Sequence, residues 1–213
     1  GAKALIADAD FAENMAATVP LTPNLTVRLA VAGEIAGFSS YADALVGHSG
    51  DDIEDPSLGT RMMYTSGTTG RPKGVARPAT YVAARPASLT AAGYAPGKGQ
   101  LNLCTGPLYH AAPLAFSFVT PLSEGVGVVL MQRWDAEQAL ILIDKYRITH
   151  THMVPTMFHR LLRLPEATKR RHDISSLKYV VHGAAPCPVA TKKALIDWLG
   201  PIVWEYYAAT EGS

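Results

Sequence analysis

Short apolar segments alternate along the chain with longer stretches in which apolar residues recur at helical spacing. The apolar segments have the length of strands rather than helices. They are Ala4–Ala7, Val27–Ala32, Arg61–Thr65, Leu101–Thr105, Val126–Met131, Thr149–Val154, Tyr179–His182 and Ile202–Tyr206. Strands that alternate with helices predict a sheet that is covered on both faces. We therefore predict an α/β fold of layered, largely parallel sheets with helices on both faces.

Two of the intervening stretches carry helix boundary signals. Asp135 is a predicted N-cap, because Gln138 stands three residues later and apolar residues follow it. Pro188 stands where a first-turn proline is tolerated, and Gly200-Pro201 ends the helical spacing that follows it. In parallel sheets ligands bind at the carboxyl ends of strands, so the residues after each predicted strand are the candidates for chemistry.

An acidic segment marks a predicted boundary within the chain. Asp51 to Ser57 contains four acidic residues and a proline, which is typical of a linker. It separates a predicted partial βαβ piece at residues 1–55 from a larger part at residues 56–213. A chain of 213 residues can hold one good-sized α/β domain or two small ones.

Composition and charge narrow the classes of function. Hydrophobic residues make up 48% of the chain and charged residues 17%, as in globular proteins. The net charge is +1 with no basic block, so nucleic acid is not an expected partner. No apolar run approaches the roughly 18–20 residues of a membrane span, and no signal peptide is visible. Cys104 and Cys187 lie in separate segments, so we expect neither a disulfide framework nor a metal cluster. We expect a cytoplasmic location, where thiols stay reduced.

A segment rich in glycine and hydroxyl residues follows the third apolar run. It reads Thr65-Ser66-Gly67-Thr68-Thr69-Gly70-Arg71-Pro72-Lys73-Gly74. Glycines let backbone amides approach a ligand, hydroxyls add donors, and Lys73 adds a positive charge, so the segment suits a triphosphate. A flexible surface turn is the alternative. Because Lys73 is followed by Gly74 and not by Ser or Thr, the segment does not match the phosphate loop of GTPases and kinases.

Three more segments place chemistry after predicted strands. They are Pro107-Leu108-Tyr109-His110, His182-Gly183-Ala184-Ala185-Pro186 and Tyr206-Tyr207-Ala208-Ala209-Thr210-Glu211-Gly212. By themselves they could be a structural histidine, a site of tight helix–strand packing and a polar turn. The third could equally supply a stacking face, a phosphate donor and a magnesium ligand.

In this order the four segments resemble the signature motifs of the adenylate-forming (acyl-activating) enzymes, in their acyl-CoA synthetase branch. The resemblance implies catalytic roles for Lys73, Thr210 and Glu211, with Glu211 binding Mg²⁺. It implies that Tyr109 and His110 border the carboxylic acid substrate. It also implies an ATP site formed by Thr65, Ser66, Gly67, Thr68, Thr69, Gly70, Lys73, Gly183, Ala184, Ala185, Pro186, Tyr207 and Thr210.

The resemblance also indicates the substrates. ATP, coenzyme A and a small carboxylic acid are the implied partners, with Mg²⁺ as cofactor. Amino-acid-activating relatives carry an Asp after the Tyr-His pair, and none stands between Tyr109 and Val119. We expect an apolar acyl pocket that favours medium-to-long aliphatic acids, although a ring-containing acid would fit the same residues. Transfer to a carrier protein instead of CoA stays open. Ala208 stands where the family usually has glycine.

The family carries further parts that do not occur in this sequence. These are a Thr-Gly-Asp segment whose Asp holds the ribose, a hinge, and a C-terminal domain with a catalytic lysine. We expect the chain to be a fragment of the N-terminal domain that folds at least partly but does not catalyse adenylation alone. A nucleotide-binding module without catalysis is the alternative.

Two further features are expected to be structural. His150 and His152 alternate in a predicted strand and would face the same side, as metal ligands can. No third ligand is evident nearby, so metal binding is not expected. The basic run Lys169-Arg170-Arg171-His172 is predicted to be a solvated loop between a helix and the next strand. A role in recruiting the phosphates of CoA is the alternative, and no other feature of the sequence supports it.

Overall fold

The chain divides into two compact units, Gly1–Ser57 and Leu58–Ser213. The structure, a computed structural model, describes residues 1–56, 59, 62–65, 70–76, 93–95 and 97–208. The first unit has one sheet and the second has two, and each unit is described by itself below.

The first unit is a three-stranded parallel sheet with short helices. Its strands lie in the order β1-β2-β3, and the predicted strands at residues 4–7 and 27–32 are both present. The third strand has only two residues and was not predicted. The elements are β1 (Ala4–Asp8), α1 (Ala12–Thr18), β2 (Val27–Val31), β3 (Ser39–Ser40) and α2 (Tyr41–Leu45), with 3-10 turns at Ala9–Phe11 and Val19–Leu21.

The second unit begins with an antiparallel hairpin. Its strands are β4 (Met62–Thr65) and β5 (Lys73–Ala76), and Thr65 pairs with Lys73. The predicted phosphate loop is therefore the connection between two strands. Lys73 and Gly74, predicted as the end of that loop, belong to the returning strand.

A five-stranded parallel sheet forms the centre of the second unit. Its strands lie in the order β10-β9-β8-β6-β7, and every neighbouring pair is parallel. All five correspond to predicted apolar segments, which confirms the expected α/β fold. The strands are β6 (Leu101–Cys104), β7 (Gly127–Leu130), β8 (His150–Met153), β9 (Tyr179–His182) and β10 (Val203–Glu205).

Helices connect these strands. Asp135 caps the helix between β7 and β8 as predicted, because its Oδ1 accepts a hydrogen bond of 2.8 Å from the Gln138 backbone N–H. The other predicted helix begins after Pro188 and ends before Gly200. The helices are α3 (Thr120–Ser123), α4 (Ala136–Tyr146), α5 (Pro155–Leu162), α6 (Glu166–Arg171) and α7 (Val189–Leu199), with a π-helix at Pro113–Val119 before α3.

One face of the five-stranded sheet packs on an apolar core. Leu103 and Val180 point from the strands into it, and helices α4, α5 and α7 contribute Ile143, Phe158 and Leu195. All five side chains are almost completely buried. Because side chains alternate along a strand, the neighbours of these residues must face the opposite side.

The opposite face of the sheet carries polar and aromatic side chains beneath the π-helix. Asn102 is fully buried, donates to the Ser117 carbonyl at 2.9 Å and accepts from the Tyr94 hydroxyl at 3.0 Å. The His150 ring stacks between Tyr94 and Tyr179. These contacts attach the π-helix to the sheet and so position the residues that precede it.

The basic run at residues 169–172 differs from its prediction. Residues 169–171 belong to α6 and not to a loop. Lys169 pairs with Glu166 one turn earlier, and its ammonium group lies 5.4 Å from the centre of the Trp198 ring. The side chain of Lys169 is largely buried, which favours the helix.

None of the helices in the described residues combines the length and the apolar character that a membrane-spanning helix needs.

Candidate active site

The topology of the sheet places a crevice at one edge. Strand β6 lies between β8 and β7. The connection from β6 leads to β7 on one side, and the connection from β8 leads to β9 on the other side, so the two leave in opposite directions. In open α/β sheets the carboxyl ends at such a switch point are where ligands bind.

A cavity of about 160 Å³ lies at this switch point. Its walls come from the residues that end or follow β6, β8 and β9. The Thr105 hydroxyl donates to the His152 carbonyl at 2.6 Å and joins the ends of β6 and β8 beneath it. The lining residues are Thr105, Pro107, His110, Ala112, Pro113, His152, Met153, Val154, Met157 and Ala184.

Two of the predicted motifs meet in this cavity. His110 follows β6 and Ala184 follows β9, 74 positions later in the sequence, yet both contribute to the same lining. The Ala112 backbone N–H donates to His110 Nδ1 at 3.4 Å, so the ring proton of a neutral His110 lies on Nε2. Tyr109 does not line the cavity; its side chain is 86% exposed.

The turn after β9 has an uncommon backbone. Ala184 has a φ of +66°, in the left-handed region that residues with a side chain seldom adopt. Such conformations persist where the surrounding structure holds them, and they cluster at ligand sites. Ala184, Ala185 and Pro186 are exposed, whereas Gly183 is buried. The turn therefore presents small side chains and an accessible backbone.

The close packing of the Tyr206 ring requires a glycine at position 183. A Cβ at position 183 would lie 2.5 Å from the Tyr206 ring, so the ring rests on the glycine backbone. The Tyr206 N–H also donates to the His182 carbonyl at 3.0 Å. The next residue, Tyr207, is fully exposed and has an open ring face.

The remaining predicted ligands of ATP are only partly described. Thr65 and Lys73 face each other across the hairpin, and Gly70 has a φ of +77° within the turn. Ser66, Gly67, Thr68, Thr69, Thr210 and Glu211 lie outside the described residues. In the part of the chain that is described, no group of three or more His, Cys, Asp or Glu side chains converges on a possible metal site.

Sequence patterns missed one feature of the site. His152 lines the cavity, and its Nε2 lies 3.1 Å from the Tyr206 hydroxyl. Its ring stacks on Phe116, with the centroids 5.4 Å apart. The available signal was the place of His152 near the carboxyl end of β8, on the same strand face as His150. The two histidines have different ring partners, since His150 lies between tyrosines.

The electrostatics of this cluster favour neutral groups. Burial, with smaller contributions from the nearby His110 and His182, lowers the pKa of His152 to about 4. Burial raises the pKa of Tyr206 to about 12. At neutral pH the cavity wall is thus an uncharged imidazole hydrogen-bonded to an intact phenol. Such a wall suits an apolar group better than a carboxylate.

Comparison with known proteins identifies the family. The family model described as AMP-binding enzyme matches residues 1–213, which is the whole chain. The chain belongs to the AMP-binding, or adenylate-forming, enzymes.

Members of the AMP-binding family with similar sequences are named as CoA ligases. Medium/long-chain-fatty-acid–CoA ligase FadD8 of Mycobacterium tuberculosis is 34% identical over 151 residues, which cover 70% of this chain and 25% of FadD8. Indoleacetate–CoA ligase of Aromatoleum aromaticum is 32% identical over 180 residues, covering 82% of this chain and 34% of that ligase. The chain therefore spans about a quarter to a third of the length of these relatives.

A solved structure of the family has the same fold. The inhibitor-bound N-terminal domain of FACL13 from Mycobacterium tuberculosis superposes with a TM-score of 0.78 and is 25% identical. The match covers 99% of this chain and 51% of that domain. The layered α/β architecture is thus that of the N-terminal domain of an AMP-binding enzyme.

Proposed function

We propose that the protein activates a carboxylic acid with ATP and transfers the acyl group to coenzyme A. One observation carries the proposal. His110 and Ala184, from two separate motifs, line one cavity at the switch point of a parallel sheet. The names of the relatives, which include a fatty-acid–CoA ligase and an indoleacetate–CoA ligase, support the same class of reaction.

The first step joins the acid to AMP. A carboxylate oxygen attacks the α-phosphorus of ATP, the bond from that phosphorus to the bridging oxygen breaks, and pyrophosphate leaves. The acid is already ionised at neutral pH, so no general base is required. Catalysis then consists mainly of positioning and of balancing negative charge.

Residues of this chain would supply both the positioning and the balancing of negative charge. Lys73, with the hydroxyls of Thr65, Ser66, Thr68 and Thr69, would hold the leaving pyrophosphate. Thr210 would hold the α-phosphate, and Glu211 would hold Mg²⁺, which balances charge on the triphosphate when it is bound. The Nε2–H of His110 would donate to the substrate carboxylate at the mouth of the cavity. In the second step the thiol of CoA attacks the acyl carbon, AMP leaves, and the thiol proton is lost to solvent.

The adenine ring would lie between two parts of the site. Small residues at Gly183–Pro186 leave room for a flat ligand, and the Tyr207 ring is free to stack on it because it is fully exposed. We expect Tyr207→Ala to weaken ATP binding by about 1–3 kcal/mol, by analogy with base stacking on aromatic side chains. Calorimetric titration with ATP measures this loss, and Tyr207→Phe, which keeps the ring, is the control. Unchanged affinity in the alanine variant would remove Tyr207 from the base site.

Two experiments test the reaction and its acceptor. In the intact protein, ATP–pyrophosphate exchange should depend on an apolar carboxylic acid and be weak with amino acids, because no Asp between Tyr109 and Val119 can hold an ammonium group. The highest kcat/KM with an amino acid would contradict the proposal. Addition of CoA should then release AMP and form a thioester. Release of AMP only when a carrier protein with a free thiol is added, with acylation of that thiol, would favour the carrier alternative.

A further inference from the structure

The cavity at the ends of β6 and β8 is small. Its volume is about 160 Å³. An apolar protein cavity of about 150 Å³ holds one benzene molecule, so this one has room for a six-membered ring or a chain of about six carbons. Drug-sized ligands occupy pockets of about 300–1,000 Å³. A long fatty acyl chain therefore exceeds the space.

One wall of the cavity is an imidazole that cannot easily move aside. The His152 side chain is almost completely buried and touches the cavity. Its Nε2 lies 3.1 Å from the Tyr206 hydroxyl, and its ring lies nearly parallel to Phe116, at an angle of 9°. Rotation of the imidazole would break the hydrogen bond and the ring contact together.

The partners of His152 are held in turn. The rings of Phe116 and Tyr206 lie 4.4 Å apart, and Tyr206 rests on the backbone of Gly183. Phe116 belongs to the π-helix, which Asn102 attaches to the sheet through the Ser117 carbonyl. The His152 ring is thus held by two residues that are themselves anchored, and the cavity cannot lengthen past His152 without disrupting these contacts.

The polarity of the lining sets the direction in which an acid enters. Around the uncharged imidazole lie Pro113, Val154 and Met157, whose side chains have no hydrogen-bond donor for an ionised carboxylate. Burying an unpaired carboxylate is costly, so the carboxylate must stay at the mouth, where His110 is exposed. The acyl group then points inward toward His152.

We propose that the site takes compact carboxylic acids, with one six-membered ring or about six aliphatic carbons, and that His152 is the specificity-determining residue that sets this limit. This inference rests on the proposed acid activation. It narrows the medium-to-long range expected from the sequence to its short end.

The test compares acids of different size in one assay. Acid-dependent pyrophosphate exchange in the intact protein gives kcat/KM for benzoate, hexanoate and dodecanoate. The better of benzoate and hexanoate should exceed dodecanoate at least about tenfold, since misfit in an apolar pocket costs about 10–200-fold. In His152→Ala the ratio of dodecanoate to hexanoate should rise about tenfold. A ratio within one preparation does not depend on how much of the enzyme is folded.

A second variant changes the cavity from another side. Ala112→Leu fills part of it and should shift preference from hexanoate toward butyrate, and so it tests the size limit even if His152→Ala does not fold. A wild-type preference for dodecanoate overturns the inference but leaves acid activation standing. Ratios that stay unchanged in both variants also overturn it. Absence of exchange with every acid overturns the proposed function and this inference together.

Discussion

The properties of His152 come from where its ring lies and not from its residue type. A solvent-exposed histidine is partly protonated near pH 6.5. Burial and two neighbouring histidines keep this one neutral until the pH is near 4. The contacts that bury the ring also hold it in place, so it forms a fixed, uncharged wall of the cavity. Stability and specificity are therefore linked at one residue.

This link predicts an acid-sensitive fold. The unfolded chain binds a proton at His152 below pH 6.5, whereas the folded chain does so only near pH 4. Stability from this residue is therefore complete above pH 6.5 and is lost as the pH falls toward 4. The full difference corresponds to roughly 3 kcal/mol in the free energy of unfolding.

Urea denaturation at pH 7.5 and pH 4.5 measures this effect. Burial also lowers the pKa of His182, which contributes in the same direction, so the wild type must be compared with His152→Gln. Between pH 7.5 and pH 4.5 we expect the free energy of unfolding to fall by roughly 2 kcal/mol less in the variant than in the wild type. Equal losses in both proteins would show that His152 does not titrate as described.

Gly183 allows a second prediction at this scale. Its replacement by Ala would put a Cβ 2.5 Å from the Tyr206 ring, and the ring would have to move away from His152. We expect Gly183→Ala to lower the free energy of unfolding by about 1–3 kcal/mol, as overpacking does. Thermal and urea unfolding measure the change. Ala185→Ser, in the same turn but exposed, is the control and should stay within about 0.5 kcal/mol of the wild type.

At the scale of elements, helix α4 depends on its N-cap residue, Asp135. The Asp135 carboxylate accepts from the Gln138 N–H, and the helix places Ala139, Leu140 and Ile143 in the core. Loss of an N-cap side chain costs about 1 kcal/mol. We therefore expect Asp135→Ala to lower the free energy of unfolding by about that amount, measured by urea denaturation. Asp135→Asn keeps a capping oxygen and should recover most of the loss; equal loss in both variants would argue against the cap.

Elements with strong local signals could be predicted from the sequence. Each of the eight apolar runs contains a strand of the structure. Asp135 and Gly200 marked helix boundaries. Strand β5 was missed because it begins with Lys73-Gly74, which reads as the continuation of a loop. Strand β3 was missed because its two serines show no apolar pattern.

The candidate site could be predicted only where its chemistry is local. His110 and Ala184 stood out because each belongs to a recognisable motif. The contact between His152 and Tyr206 joins residues 54 positions apart, so no local pattern records it. The size of the cavity likewise depends on the π-helix, strand ends and turn that meet around it.

At the scale of the whole molecule, the sheet order determines where chemistry takes place. The order β10-β9-β8-β6-β7 opens a crevice where neighbouring connections diverge, and two motifs line it. The chain matches the AMP-binding family along its whole length while spanning about a quarter to a third of two CoA ligases. Its central proposed chemistry is attack of a carboxylate on the α-phosphorus of ATP.

Oxygen labelling tests this chemistry most directly. The intact protein is given ATP, CoA and a compact acid such as benzoate with both carboxylate oxygens as ¹⁸O, and the products are analysed by mass spectrometry. Attack on the α-phosphorus carries one label into AMP when CoA displaces it, so we predict AMP with one ¹⁸O and unlabelled pyrophosphate. ADP together with ¹⁸O-labelled orthophosphate would show attack on the γ-phosphorus instead and would contradict the account.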